Sequence, residues 1–258
     1  MSVNTAPAVR NGGRYFLGTR LSPGATTLLG EVESLYRKPV VAQYLSDDES
    51  GWGCSRVSQN GTPLVLLNRT FADDEEVIVH ELYHLKLRAL GAPIFSWDPG
   101  AKASFVGDLT YLASQIYDAL QHRAMPTSML ILGLNPASKF QAAIRAGIER
   151  REWPVQNENS QYAGSKAVPL VRTFVEFGEG KEFRAVRQWY QDAGWRDAIQ
   201  LADEMIRCLL PETQVFKEHV SQFLNCVGVL GFSLGSPVYR ENVTRGGCML
   251  VEAIFKDS

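Results

Sequence analysis

The chain has 258 residues, 45% of them hydrophobic and 21% charged, which is the composition of a globular protein able to bury a full core. A formal charge of −2 excludes a general basic surface for nucleic acid or anionic membranes. No stretch is long and apolar enough to cross a bilayer, and Met1 to Arg20 lacks the apolar core of a signal peptide.

The four cysteines are widely separated and form no C-x-x-C pair. This spacing is typical of free thiols in a reducing compartment, and it disfavours a disulfide framework or a cysteine zinc site. We therefore expect a cytoplasmic protein with no membrane or nucleic-acid partner.

The segment before residue 76 predicts one helix and then three strands. Ser22-Pro23 is typical of an N-cap followed by proline at the first helical position, and the helix should end before Pro39. Asn60-Gly61 is a strong hairpin-turn signal between the last two strands. The predicted strands lie at Val40–Leu45, 52–58 and Leu64–Leu67.

Residues 76–91 predict a helix that carries the pattern His-Glu-x-x-His, with His80, Glu81 and His84. Residues four apart lie on one face of a helix, so both histidines can bind a single metal ion. Glu81 lies about 100° round the helix from His80, from where its carboxylate can take a proton from a metal-bound water. A stripe of apolar residues on the other side predicts the face that packs into the core; it consists of Ile78, Leu82, Leu85 and Ala89.

The same pattern also has a purely structural interpretation. Both histidines would then be exposed surface residues, and Glu81 would pair with Lys86 or Arg88. The helix geometry favours the metal site, because the histidines lie opposite the apolar stripe.

This element order resembles the upper lobe of the zincin superfamily of zinc peptidases, over roughly residues 22 to 126. The tract from His80 to His122 is also similar to an uncharacterised bacterial branch of zincin-like proteins. The resemblance implies an α+β, zincin-like fold, with a small N-terminal sheet and the metal-binding helix in a catalytic core over 1–126. A mainly helical C-terminal lobe over 127–258 would complete the cleft. In this family an edge strand, here within Ser55–Gln59 or Leu64–Asn68, binds a peptide by adding it as an extra strand.

After the motif helix, Pro93–Gly100 predicts a loop and Ala103–Met125 a second long helix that Pro126 stops. A catalytic zinc needs three protein ligands and an open position for water. The metzincin pattern would place a glycine and a third histidine where this chain has Leu87 and Leu90, so that subfamily is excluded. Gluzincins use a glutamate from a later helix, and the second helix contains none.

The second helix instead offers Asp108, Asp118 and His122. Asp118 and His122 are four residues apart and share a face. Imidazole suits zinc, which favours His122 as the third ligand, with Asp118 orienting a ligand from one turn away. The reverse arrangement also stays open, with Asp118 on the metal and His122 binding an oxyanion.

The second half of the chain carries no motif of comparable specificity. Met129–Leu134 predicts a short strand or buried turn, and His219 is a candidate for stabilising an oxyanion. Helices are predicted from Asn135 to about Arg151 and over Val168–Phe177, Phe183–Asp192, Asp197–Leu210 and Gln214–Cys226. A closing hairpin is predicted from Val238–Asn242 and Cys248–Phe255.

Together these observations predict a zinc metallopeptidase that acts on a protein or peptide substrate. His80, His84 and His122 would hold Zn²⁺, and Glu81 would be the general base and later the proton donor to the leaving amine. One alternative is a regulatory zincin-like protein that acts on a single partner protein. Another is a metal-binding protein without enzymatic activity.

Overall fold

The computed structural model describes residues 14–46, 52–97, 103–123, 132–135, 137–153, 163–210, 213, 215–232, 234–244 and 247–255. It is an α+β structure that combines helices with small sheets. Contacts divide the chain into two compact units. The first contains Met1–Ile94, Pro126–Lys139 and Arg240–Glu252; the second contains Phe95–Met125, Phe140–Tyr239 and Ala253–Ser258. The division into a catalytic core over 1–126 and a lobe over 127–258 stays a prediction.

The first unit begins with a short antiparallel pair, β1 (Tyr15–Phe16) and β2 (Thr19–Arg20). Helix α1 follows over Pro23–Tyr36, and the Ser22 side chain caps it by accepting a hydrogen bond from the Ala25 N–H, as predicted. Strands β3 (Val41–Tyr44), β4 (Gly53–Val57) and β5 (Pro63–Leu67) then form a sheet in the order β3-β5-β4.

Strand β5 lies in the centre of this sheet and β4 at an edge. β5 runs parallel to β3 and antiparallel to β4, and Gly61 in the β4–β5 turn has φ of +81°. The predicted hairpin at Asn60-Gly61 is therefore confirmed, since glycine adopts a positive φ without steric cost. Of the two segments considered for an edge strand, only the one that overlaps β4 lies at an edge.

Helix α2, over Glu75–Ala89, carries the His-Glu-x-x-His pattern. Asp74 caps it by accepting from the Glu76 N–H, and acidic residues in its first turn and basic residues in its last turn suit the helix dipole. Its predicted core residues Ile78, Leu82 and Leu85 are all 0% exposed, and the helix packs against α1, β4 and β5. The buried Tyr36 hydroxyl donates to the Leu85 carbonyl at 3.0 Å, which fixes α1 to α2.

Two regions after α2 differ from the sequence prediction. The segment predicted as a loop contains a strand, β6, over Ile94–Trp97. The predicted helix from Ala103 is not uniform: α3 covers Ala103–Leu112, a π-helical turn covers Ala113–Tyr117, and α4 covers Asp118–Arg123. The Asp118 N–H bonds to the Ala113 carbonyl across this wider turn.

The second unit has a helical core. Its helices are α5 (Ser138–Glu149), α6 (Ala163–Phe177), α7 (Lys181–Asp192), α8 (Arg196–Cys208) and α9 (Phe216–Val229). Helix α6 is buried along most of its length and packs against α4, α7 and α8. The predicted helices are thus confirmed, although α6 begins five residues before Val168 and includes Pro169.

The chain ends with the predicted strands β7 (Val238–Val243) and β8 (Met249–Phe255), which pair in a sheet of order β6-β8-β7. The predicted strand or turn at Met129–Leu134 lies largely outside the described residues. Cys54, Cys208, Cys226 and Cys248 are free thiols. Among the described helices, none has the length and apolar character that a membrane span requires.

Candidate metal centre

The two motif histidines face each other on α2. The Nε2 atoms of His80 and His84 are 3.1 Å apart, and the side chain of His84 is buried. Two nitrogen lone pairs at this distance repel unless a proton or a cation lies between them. Two nitrogen ligands of one tetrahedral zinc, each at about 2.05 Å, would be about 3.3 Å apart. The helix therefore presents these nitrogens at close to the separation that zinc needs.

His122 joins them in the candidate metal centre. One nitrogen each from His80, His84 and His122 can be chosen so that all three lie within 4.8 Å of one another, and His84 and His122 are each only 6% exposed. The purely structural interpretation, with both motif histidines on the surface, is wrong for His84. Imidazole nitrogens are ligands that zinc prefers. Three of them are the number found in catalytic zinc sites, in which water takes the fourth position.

Glu81 is buried beside the edge strand β4, with only 6% of its surface exposed. A Cβ atom built on Gly53 would lie 3.2 Å from the Glu81 Cγ and 3.0 Å from the Leu66 carbonyl oxygen. Both distances are shorter than ordinary van der Waals contact, so a side chain at this position would crowd Glu81, and Gly53 lets β4 lie against it. Further along α2, Arg88 donates to the Ser55 carbonyl of β4 at 2.7 Å. The two contacts hold the edge strand along the helix that carries the motif.

A pair of matched substitutions tests the packing of β4 on Glu81. Gly53→Ala should lower the free energy of unfolding by about 1 to 3 kcal/mol, because the added methyl group overpacks the strand. Gly30→Ala on α1, where a Cβ meets nothing within 4 Å, should raise it by about 0.5 to 1 kcal/mol. Denaturant unfolding of both variants and the wild type measures the difference. Equal stabilities of the two variants would contradict the close approach of β4.

Within the second unit, His122 lies against a pair of buried charged residues. Its Nδ1 lies 2.9 Å from the Oε1 of Glu176 on α6, and the same Oε1 lies 2.9 Å from the Nη2 of Arg172. The side chains of Arg172 and Glu176 are both 0% exposed. Burial would raise the pKa of Glu176, but the hydrogen bond with His122 and the charge of Arg172 outweigh it and hold this pKa below its usual value.

Arg172 also connects this pair to the π-helical turn. Its Nη1 donates to the carbonyls of Ser114 and Gln115 at 2.7 and 3.1 Å, and its Cζ lies 4.1 Å from the centre of the Phe140 ring. A buried guanidinium needs such partners, because its desolvation is otherwise costly. The π-turn supplies two of these acceptors immediately before the segment that carries His122.

The Asp118 carboxylate lies near both His122 and Arg172. Its Oδ2 is 3.9 Å from the Nε2 of His122, beyond hydrogen-bond distance, and 3.4 Å from the Nη2 of Arg172. The carboxylate that contacts His122 at Nδ1 is Glu176. Glu176 and Arg172 were not predicted from the sequence, although charged residues four apart within the apolar run of α6 are a signal that could have identified them.

His219, the fourth histidine, has an environment of its own. It is 1% exposed, and its Nε2 lies 2.8 Å from the Thr213 carbonyl oxygen. Burial lowers its pKa below the usual value, which keeps it neutral near pH 7. These contacts give His219 a structural role on α9, and nothing in them supports the oxyanion role considered from sequence.

Comparison with protein-family models, with curated proteins and with solved structures finds no match to this chain.

Proposed function

We propose that this protein is a zinc-dependent peptidase that hydrolyses a peptide bond with Glu81 as general base. The observation that carries the proposal is the group of three imidazole donors in the candidate metal centre, with Glu81 directly after the first of them. His80, His84 and His122 would hold the ion. Bound there, zinc would polarise the scissile carbonyl and lower the pKa of a water molecule towards 7.

The chain's own residues would then perform the proton transfers. Glu81 carries a carboxylate, which as the anion can accept a proton from the attacking water. The protonated Glu81 would next give this proton to the nitrogen of the leaving amine. Its burial supports this role, because a carboxylate shielded from solvent holds its position relative to the reacting water.

The position of β4 supports a peptide substrate in particular. β4 is an edge strand of its sheet, and it lies against Glu81 through Gly53 and against Arg88 through Ser55. An edge strand can take up an extended peptide as an additional strand through main-chain hydrogen bonds. A peptide bound along β4 would bring a peptide bond close to the general base.

Removal and return of the metal tests this function. The wild-type protein, incubated with a cell lysate, should generate new peptide termini that mass spectrometry detects. A zinc chelator should abolish them, and a stoichiometric amount of Zn²⁺ should restore them, because the proposed water activation requires the ion. A set of termini that the chelator leaves unchanged would contradict the proposal. A zinc-loaded protein that generates no termini from lysate would favour a single-partner or binding-only role.

A further inference from the structure

We infer that Glu176, paired with Arg172, is a positioning residue that fixes His122 as the tautomer with its proton on Nδ1, so that Nε2 is the nitrogen that binds the metal. The inference rests on the proposed function for the identity of the metal. It extends that function to two residues of α6 for which the His-Glu-x-x-His pattern gives no role.

The Glu176 carboxylate accepts its hydrogen bonds from Arg172 and His122. Its Oε1 has two nitrogen neighbours at 2.9 Å, Arg172 Nη2 and His122 Nδ1. An arginine nitrogen can only donate, so Oε1 is an acceptor in that contact. The buried guanidinium of Arg172 stabilises this carboxylate as its anion, and an anionic carboxylate carries no proton to donate. His122 Nδ1 therefore donates, and Nδ1 carries the proton.

The chemistry of imidazole determines which nitrogen of His122 is left for a metal. A neutral histidine carries one proton, so a proton on Nδ1 leaves the lone pair on Nε2 for a metal. His80 and His84 also turn their Nε2 atoms towards each other. With its proton on Nδ1, His122 would supply the same ring nitrogen to the site.

Glu176 is itself held in place by neighbouring residues. Gln141 on α5 donates from its Nε2 to the Glu176 carbonyl oxygen at 3.2 Å, and the same nitrogen lies 3.5 Å from Oε2. Arg172 is held in turn by the carbonyls of Ser114 and Gln115. The carboxylate is therefore fixed by two neighbouring elements before any metal binds, which is the condition for orienting a ligand ring.

The test uses the full-length protein and two readouts, one of which needs no metal. In the metal-free protein labelled with ¹⁵N-histidine, NMR should show His122 protonated at Nδ1 and bare at Nε2, with His122→Ala identifying its signals. Glu176→Gln should lose this preference, because its amide group can also donate to Nδ1. The same substitution should raise the Kd for Zn²⁺ by about 10- to 100-fold.

Glu182→Gln is the matched control. Glu182 also accepts a hydrogen bond from an arginine, Arg145 Nε at 2.9 Å, but it lies on α7 and has no contact with His122 among the described residues. This variant should equal the wild type in both readouts. Because Glu176→Gln leaves Arg172 buried without its anion, the double variant Arg172→Met, Glu176→Gln is measured alongside it. The double variant should lose the Nδ1 preference and the zinc affinity to the same extent as Glu176→Gln, although it leaves no unpaired charge at position 172.

The outcomes separate this inference from the proposed function. If the Glu176 variants keep the Nδ1-protonated ring, or keep the zinc affinity of the wild type while His122→Ala loses it, the positioning role is overturned and the metal site stands. A fall in zinc affinity with an unchanged tautomer would make Glu176 merely structural, which also overturns it. If His122→Ala binds zinc as tightly as the wild type, the proposed three-histidine site fails instead.

Discussion

Glu81→Gln should retain zinc and lose proteolysis by a factor of about 10² to 10⁴ or more, which is the contribution of a general base. Glutamine keeps the shape of the side chain and its hydrogen bonding, but it cannot accept a proton at neutral pH. Because Glu81 is buried against β4, a substitution of equal size also avoids a cavity or a clash there. The measurement compares newly formed peptide termini and bound zinc for variant and wild type.

The control for this variant is Glu76→Gln in the first turn of the same helix. Glu76 is exposed, whereas Glu81 is buried, so the same chemical change should leave proteolysis intact. Identical termini from wild type and Glu81→Gln would refute the general-base mechanism. A Glu81→Gln protein that lost its zinc would instead assign Glu81 a part in binding the ion.

The helix that carries the His-Glu-x-x-His pattern, α2, is the part of the fold that the sequence predicts best, because its signals are local. The cap at Asp74, the charged first and last turns and the apolar stripe all lie within residues 73–91, and α2 follows them closely. The pairing of β4 with β5 was predictable for the same reason, because the Asn60-Gly61 turn joins them directly. The short strands β1 and β2 were not predicted. The zincin-like fold stays a proposal, because element order within one segment does not determine the arrangement of a whole chain.

Strand β6 was missed because its partner is distant in sequence. Ile94–Trp97 is a short run of β-branched and aromatic residues, but Pro93 and the turn residues after it indicate a loop. Its neighbour in the sheet is β8, more than a hundred residues away. The packing of Phe95 against Tyr117, with ring centres 4.0 Å apart, is equally non-local. Prediction from neighbouring residues in the sequence cannot detect either the pairing of β6 with β8 or the packing of Phe95 on Tyr117.

The π-turn and the Arg172–Glu176 pair show the same limit in the candidate metal centre. Periodicity predicts a regular helix through Ala113–Tyr117, whereas the turn there is wider and gives two carbonyl groups to Arg172. Arg172 belongs to α6, more than fifty residues later in the chain. The sequence around Ala113–Tyr117 therefore contains no sign that its carbonyl groups must accept hydrogen bonds from an arginine. The two motif histidines are predictable from their spacing as candidate ligands, but the hydrogen-bond partner of His122 depends on tertiary contact.

Zinc binding should depend on each histidine of the candidate metal centre, and these are the largest effects on affinity that we expect. Structural zinc sites with four ligands bind with roughly 10 to 16 kcal/mol, or about 3 kcal/mol per ligand. His80→Ala and His84→Ala should therefore each raise the Kd for Zn²⁺ by about 10²- to 10³-fold. Elemental analysis and competition with a chelator of known affinity measure the change. His219→Gln, which alters a histidine outside the centre, should retain one zinc per chain.

The loss of zinc affinity on substitution of His122, compared with the loss on substitution of Asp118, decides which of the two residues is the third ligand. His122→Ala should match the losses of the two motif variants, since it removes a nitrogen donor of the same kind. Asp118→Asn should weaken binding far less: the Asp118 carboxylate lies 3.9 Å from the Nε2 of His122, and its nearer neighbour is Arg172 Nη2 at 3.4 Å. Its effect should also be smaller than that of Glu176→Gln, because Glu176 contacts the His122 ring directly. If Asp118→Asn instead lost zinc while His122→Ala retained it, the aspartate would be the ligand, and His122 would be left to bind the oxyanion.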